Sequence, residues 1–166
     1  MRSAAAVVHA GAMLCGSVTA VAALGQTLPD AITVKIIAEV ETRVSVNGRE
    51  VTKLAPAERL TPGDEVIYTL EIRNSGNAPV RTLAVPCAIP NHMRYVADSA
   101  VGPGADVSYS VDGGRTFAWP DDLTVEGPQG VPRPATAADY TQILWRLKHG
   151  LKGHAVAYAH FRAIVK

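Results

Sequence analysis

The sequence predicts an all-β chain, folded as an antiparallel two-sheet sandwich of seven to nine strands behind a signal peptide. Three observations carry that prediction. With 14 glycines and 11 prolines in 166 residues, the chain is punctuated every few positions, which suits turns and disfavours long helices. Apolar and polar residues alternate at period two along several segments, as they do in a strand with one buried face. Turn signals recur about every ten residues and no stretch supports a crossover helix, which favours an immunoglobulin-like sandwich over a parallel sheet.

Arg2 is the only charge before Asp30, and residues 4–24 are almost wholly apolar and small. This is the pattern of a secretory signal peptide; an uncleaved anchor is the competing reading, because the stretch is about long enough to cross a bilayer. Ala23 and Gly25 fit a small-x-small cleavage rule, with Ala20 and Ala22 as a second pair. Residues 1–25 are therefore assigned to the signal and residues 26–166 to one domain. Cys15 follows Met13 and Leu14 rather than a small residue, which argues against lipid attachment there. A domain of that length buries roughly 70% of the surface its unfolded chain exposes, enough for a single core.

Removing Arg2 from the 16 basic residues leaves as many as the 15 acidic ones. Nucleic acid and acidic membrane surfaces then lose the electrostatic attraction that would draw them, and no membrane insertion is expected after cleavage. Only Cys87 remains in the mature chain, so packing rather than an internal disulfide must hold it. The expected location is secreted, periplasmic or at the cell surface.

The elements follow in order. Residues 31–40 are rich in β-branched side chains, and the next stretch, RVSVNGREV, places Asn47 and Gly48 where a tight hairpin turn needs positive φ. A strand and hairpin are expected over 31–53. Pro62, Gly63 and Asp64 make a turn, after which Val66, Tyr68, Leu70 and Ile72 alternate with Ile67, Thr69, Glu71 and Arg73. Residues 74–77 turn the chain again. Val80, Leu83 and Val85 lead into a loop, PCAIPNHM, followed by short strands at 94–96, 106–111, 115–119 and 123–126. Residues 127–139 lack periodicity and read as a long surface connection, a candidate binding loop. Two final strands, YTQILWRLK and HAVAYAHFRAIVK, flank a turn at 150–153; their inward sets are Ile143, Trp145 and Leu147, then Ala157, Ala159, Phe161 and Ala163.

The stretches PGDEVIYTLEIRNSGNAPV, AIPNHMRYVADSA, VSYSVDGGRTF and TQILWRLKHGLKGHAVAYAHFRAIV resemble the DUF11 conserved-repeat domain of bacterial and archaeal surface proteins, over about residues 60–165. The resemblance implies an immunoglobulin-type spacer or stalk unit of the cell wall or envelope, with no known activity. It occurs here in one copy, unlike the family's tandem habit.

Candidate sites are few. SVDGGRTF also fits the SxDxGxTF pattern of the Asp-box hairpin, in which Asp112 would cap backbone N–H groups while Gly113 and Gly114 supply positive φ. CAIPNHM resembles the copper loop of cupredoxins, because Cys87, His92 and Met93 offer the thiolate, imidazole and thioether that a blue-copper ion takes. Against that, Met93 directly follows His92, and no histidine lies between Gln26 and Asn91 to supply the earlier ligand. Cys87 as a small buried hydrophobe is the other reading. No GxSxG or SxxK occurs, and Asp98, Asp106, Asp121 and Asp122 are scattered rather than spaced as a calcium loop. On the closing strand, read as an edge strand, Val156, Tyr158, His160, Arg162 and Ile164 face away from the alanine side, and Tyr158, His160 and Arg162 form a possible interaction face.

The expected function is an exported, non-catalytic structural or protein-interaction module of the envelope or surface, with no cofactor. Its partner is another envelope or surface protein, or a second copy joined by an edge strand. The alternative is a metal-binding, cupredoxin-like periplasmic protein using Cys87 and His92. A carbohydrate-binding module, using Trp119 and Tyr140 beside the long connection, rests on fold analogy.

Overall fold

The computed structural model describes residues 28–102 and 104–166. The expected signal peptide lies outside them. Among the described residues no helix is long and apolar enough to cross a membrane.

The first strand, β1 (Ile32–Val46), runs unbroken for 15 residues, and the Asn47–Gly48 turn, with φ of 51° and 76°, returns it as β2 (Arg49–Pro56). The β-branched residues that make β1 one strand also let it serve two partners. Its first half pairs with β3 (Glu65–Asn74) and its second half with β2, so the hairpin projects past the body of the fold. Next come β4 (Leu83–Ala88), β5 (Met93–Tyr95), β6 (Ala105–Ser110), β7 (Thr124–Glu126), β8 (Pro132–Pro134), β9 (Gln142–Leu147) and β10 (Val156–Val165). They form a five-stranded sheet in the order β2-β1-β3-β10-β5, a three-stranded sheet in the order β4-β9-β6, and a small β7-β8 ribbon. Every pairing is antiparallel. The expected all-β, two-sheet sandwich is the observed fold.

Period-two alternation decides what fills the interior. Val66, Leu70 and Ile72 of β3 and Ala159, Phe161 and Ala163 of β10 face Val85 and Cys87 of β4 and Ile143 and Trp145 of β9. Phe161 and Trp145 are fully buried, with ring centroids 6.2 Å apart. Burial of each ring contributes roughly 2–3 kcal/mol. The alanines of β10 and Gly102 make room for the indole: a Cβ on Gly102 would lie 2.8 Å from Trp145 Cδ1, so Gly102→Ala would force the ring to move.

Four expectations need correction. PCAIPNHM is not all loop, because β4 continues through Cys87 to Ala88. Pro86 is tolerated there because Ile89, like the other odd-numbered residues of this stretch, turns its N–H toward β9 (Ile89 N to Thr141 O, 2.9 Å), leaving the proline nitrogen on the outer edge. Residues 115–119 form no strand; only Ala118 bridges Tyr109, because Asp112 draws the backbone of Arg115 and Thr116 into its turn. The connection 127–139 holds β8. Its prolines sit where no N–H is needed, Val131 O accepting from Gly127 and Ala135 N–H donating to Leu123 O, and a two-pronged Arg133–Asp139 ion pair (2.8 and 2.7 Å) pins the following turn. Finally, β10 is no edge strand, since β3 flanks it on one side and Val101 with β5 on the other.

Candidate functional site: the outer face of the large sheet

The inner face of the five-stranded sheet meets the small sheet, but no helix or strand layer covers its outer face among the described residues. Strand alternation sends Val156, Tyr158, His160, Arg162 and Ile164 of β10 to this outer face, as their sequence positions predict. Register aligns Tyr158 with Glu71, His160 with Thr69 and Arg162 with Ile67 on β3, and Glu71 in turn with Lys35 on β1.

Arg162 is the fixed point of the face. Its guanidinium donates through Nη1 to Glu65 (2.6 Å) and through Nη2 to Glu41 (3.0 Å), reaching across β3 to β1. These two carboxylates raise its already high pKa, Glu65 the more strongly. Its backbone is held too, because Ser99 Oγ accepts the Arg162 N–H at 3.0 Å and donates to Val96 O at 2.6 Å. Arg162 and Glu39 flank Ile67, which is only 9% exposed although it points outward. Beside them lies a shallow cleft of about 300 Å³ lined by Val40, Arg59 and Asp64 together with Glu41, Glu65, Ile67 and Arg162. Asp64 is shaped for a turn: its carboxylate accepts the Thr61 N–H and hydroxyl at 2.7 and 2.9 Å, which lowers its pKa. Tyr158, in contrast, is 52% exposed and makes the apolar high point of the strand.

Sequence reasoning identified Tyr158, His160 and Arg162 but missed Glu41, Glu65 and Arg59. The signal for Glu65 was present, since it has the outward parity of β3. The signal for Glu41 was not, because it needed the β1–β3–β10 order.

The remaining sequence candidates lie elsewhere. Asp112 Oδ1 accepts the Arg115 and Thr116 N–H groups at 2.9 and 3.0 Å and the Ser110 hydroxyl at 2.7 Å, while Oδ2 accepts the Thr116 hydroxyl at 2.7 Å. These bonds hold its carboxyl well below the usual carboxylate range, the Ser110 hydroxyl foremost. Gly113 and Gly114, at φ of 77° and 90°, complete the turn, and the side chain of Gln142 fills the space a Cβ on Gly114 would need.

His92 does not share the environment of Cys87 and Met93, which both lie in the buried core. The Cys87 thiol is buried on β4 and pushed up to about 12 by that burial, Met93 is buried on β5 of the opposite sheet, and His92 is exposed. Among the described residues no group of three or more His, Cys, Asp or Glu side chains could hold a metal ion. Trp119 is 53% exposed, whereas Tyr140 stacks on Tyr109 with centroids 4.4 Å apart, so one face of its ring is already covered. The two do not present a shared aromatic platform of free faces.

No family model, curated protein or solved structure matches the chain.

Proposed function

We propose that this protein is an exported, non-catalytic structural or protein-interaction module of the cell envelope or surface, of the DUF11 immunoglobulin-like kind. It docks another envelope or surface protein on the outer face of its large sheet. The observation that carries the reading is the uncovered face itself, where one strand presents the half-exposed Tyr158 and, four residues on, Arg162 fixed by two carboxylates. An exposed aromatic ring and a fixed arginine on one sheet face suit a protein partner, since tyrosine and arginine are the residue types that dominate interface energetics. The apolar leader, the neutral mature charge and the single remaining cysteine support export without nucleic-acid or membrane-surface binding.

The test places a photo-crosslinking amino acid at position 158 in living cells, with a matched one at position 146, exposed on the outer face of the small sheet. A discrete adduct from position 158 in the envelope or secreted fraction, on a chain whose N-terminus lies near Gln26, is the expected result. Cytosolic protein retaining Met1, or equal diffuse labelling from both positions, would overturn it.

A further inference from the structure

Four strands form the edges of the two sheets, and three of them are protected. β4 carries Pro86 with its nitrogen outward, β5 is three residues long, and Ala118 bridges the outer side of β6 at Tyr109. β2 carries its outward-facing proline, Pro56, only at its last position, which leaves the outward backbone of Glu50, Thr52 and Leu54 open, and every side chain from Arg49 to Leu54 is exposed. Its backbone direction follows from the turn. Val46 and Arg49 close a two-residue hairpin and exchange their hydrogen bonds, and Ala57 N–H donating to Ala38 O at 3.1 Å continues the same parity. The N–H and C=O groups of Glu50, Thr52 and Leu54 therefore point away from β1.

We infer that β2 is a self-association strand: two copies pair β2 against β2, antiparallel, about a two-fold axis through Thr52, joining their large sheets into one. The inference rests on the reading of this chain as an interaction module and names one partner, a second copy. Register selects the arrangement. Only residues with outward backbone can exchange hydrogen bonds across the new ladder, so Glu50, Thr52 and Leu54 must pair among themselves. A two-fold at Glu50 sets two glutamates opposite; at Val51 it sets Arg49 opposite Lys53; at Lys53 it sets two lysines opposite. Like charges directly opposite destabilise a ladder. A two-fold at Leu54 would need a hydrogen bond from Pro56, which has no N–H. With the axis at Thr52, Thr52 faces Thr52, Glu50 faces Leu54 and Val51 faces Lys53, whose methylene stem covers the valine. The 37% exposed Val51 and 52% exposed Leu54 thereby gain neighbours.

Sedimentation equilibrium of the protein as the cell processes it tests this, over a range of concentrations. The parent chain is expected to approach twice its single-chain mass at the high end. Thr52→Pro is expected to stay at the single mass with an unchanged urea midpoint, because it deletes only an outward donor. Thr52→Cys is expected to form a disulfide-linked dimer on mild oxidation, since paired Cα atoms there are about 5.5 Å apart, while Val51→Cys is not. A parent chain at single mass throughout, Thr52→Pro still at twice the mass, or cross-linking at 51 but not at 52 would overturn the inference. Those results leave the adduct at position 158 untouched, so the two readings fail separately.

Discussion

The hydroxyls of Tyr95 and Tyr109 meet at 2.9 Å, joining β5 of the large sheet to β6 of the small one across the interior. The two partners are unequal. Tyr95 Oη also accepts the Ala100 N–H at 3.0 Å, so Tyr95→Phe strands a backbone donor as well as the Tyr109 hydroxyl. Tyr109→Phe leaves the Ala100 bond in place. Because an unsatisfied buried group costs more than a bond is worth, Tyr95→Phe is expected to cost about 2 kcal/mol and Tyr109→Phe about 1 kcal/mol. Urea unfolding at neutral pH measures both, and equal costs would refute the asymmetry.

Asn74 ends β3 in full burial and ties three segments together. Its Nδ2 donates to Ala78 O at 2.9 Å and to Leu151 O at 3.1 Å, while Oδ1 accepts the Gly76 N–H at 3.0 Å. Asn74→Ala should cost about 3 kcal/mol by leaving these groups unpaired. Asn74→Asp should be no better at neutral pH, because a carboxylate would face two carbonyl oxygens. Desolvation and those carbonyls raise the introduced carboxyl, so the variant regains stability as pH falls through its folded pKa and the acid becomes a donor. Urea midpoints that fall for Asn74→Asp between pH 7 and 5 in parallel with the parent would contradict this.

What was legible in the sequence was whatever a single strand's alternation decides. The Asn47–Gly48 hairpin, the inward sets around Trp145 and Phe161, and the outward set around Tyr158 all follow from period two and turn chemistry. Pairing is a different kind of information. Whether β10 lies at an edge depends on Met93–Tyr95 and Val101 finding it, and three residues carry too little pattern to announce that. Prolines misled twice. Pro86 and Pro134 read as loop residues, yet both sit in ladders whose hydrogen bonds run through their odd-numbered neighbours. The Glu41–Arg162 pair, formed by residues 121 apart in sequence, is a product of strand order alone.

Cys87 makes the alkaline stability of the fold predictable. Burial pushes its thiol from 9.0 up to about 12. The unfolded chain therefore releases this proton first, so the contribution is whole below pH 9 and is lost as pH rises toward 12. At pH 10 the loss is about 1 kcal/mol relative to pH 8. Buried tyrosines, Tyr109 above all, add to the decline at higher pH because burial raises them in the same direction. Urea unfolding of the parent and of Cys87→Ala at pH 8 and pH 10 separates the terms: the alanine variant starts lower but should fall by about 1 kcal/mol less. An identical fall in both would mean that the thiol ionises in the folded protein as readily as in the unfolded one.

Arg162 separates docking from folding on the outer face. Its side chain is 39% exposed, and Glu41 and Glu65 are exposed at 48% and 41%, so water screens both ion pairs and neither holds the sandwich together. Arg162→Ala is accordingly expected to change stability by less than about 1 kcal/mol. The face itself changes more, since Glu41 and Glu65 then stand without a cation between them and the flank of Ile67 opens. The adduct formed from position 158 should fall severalfold, and Glu65→Gln, which keeps the shape and leaves the Glu41 contact, should fall less. Loss of fold in Arg162→Ala, read as a urea midpoint shifted by more than that 1 kcal/mol, would make Arg162 a structural residue. An unaltered adduct yield would move the docking surface away from this part of the sheet.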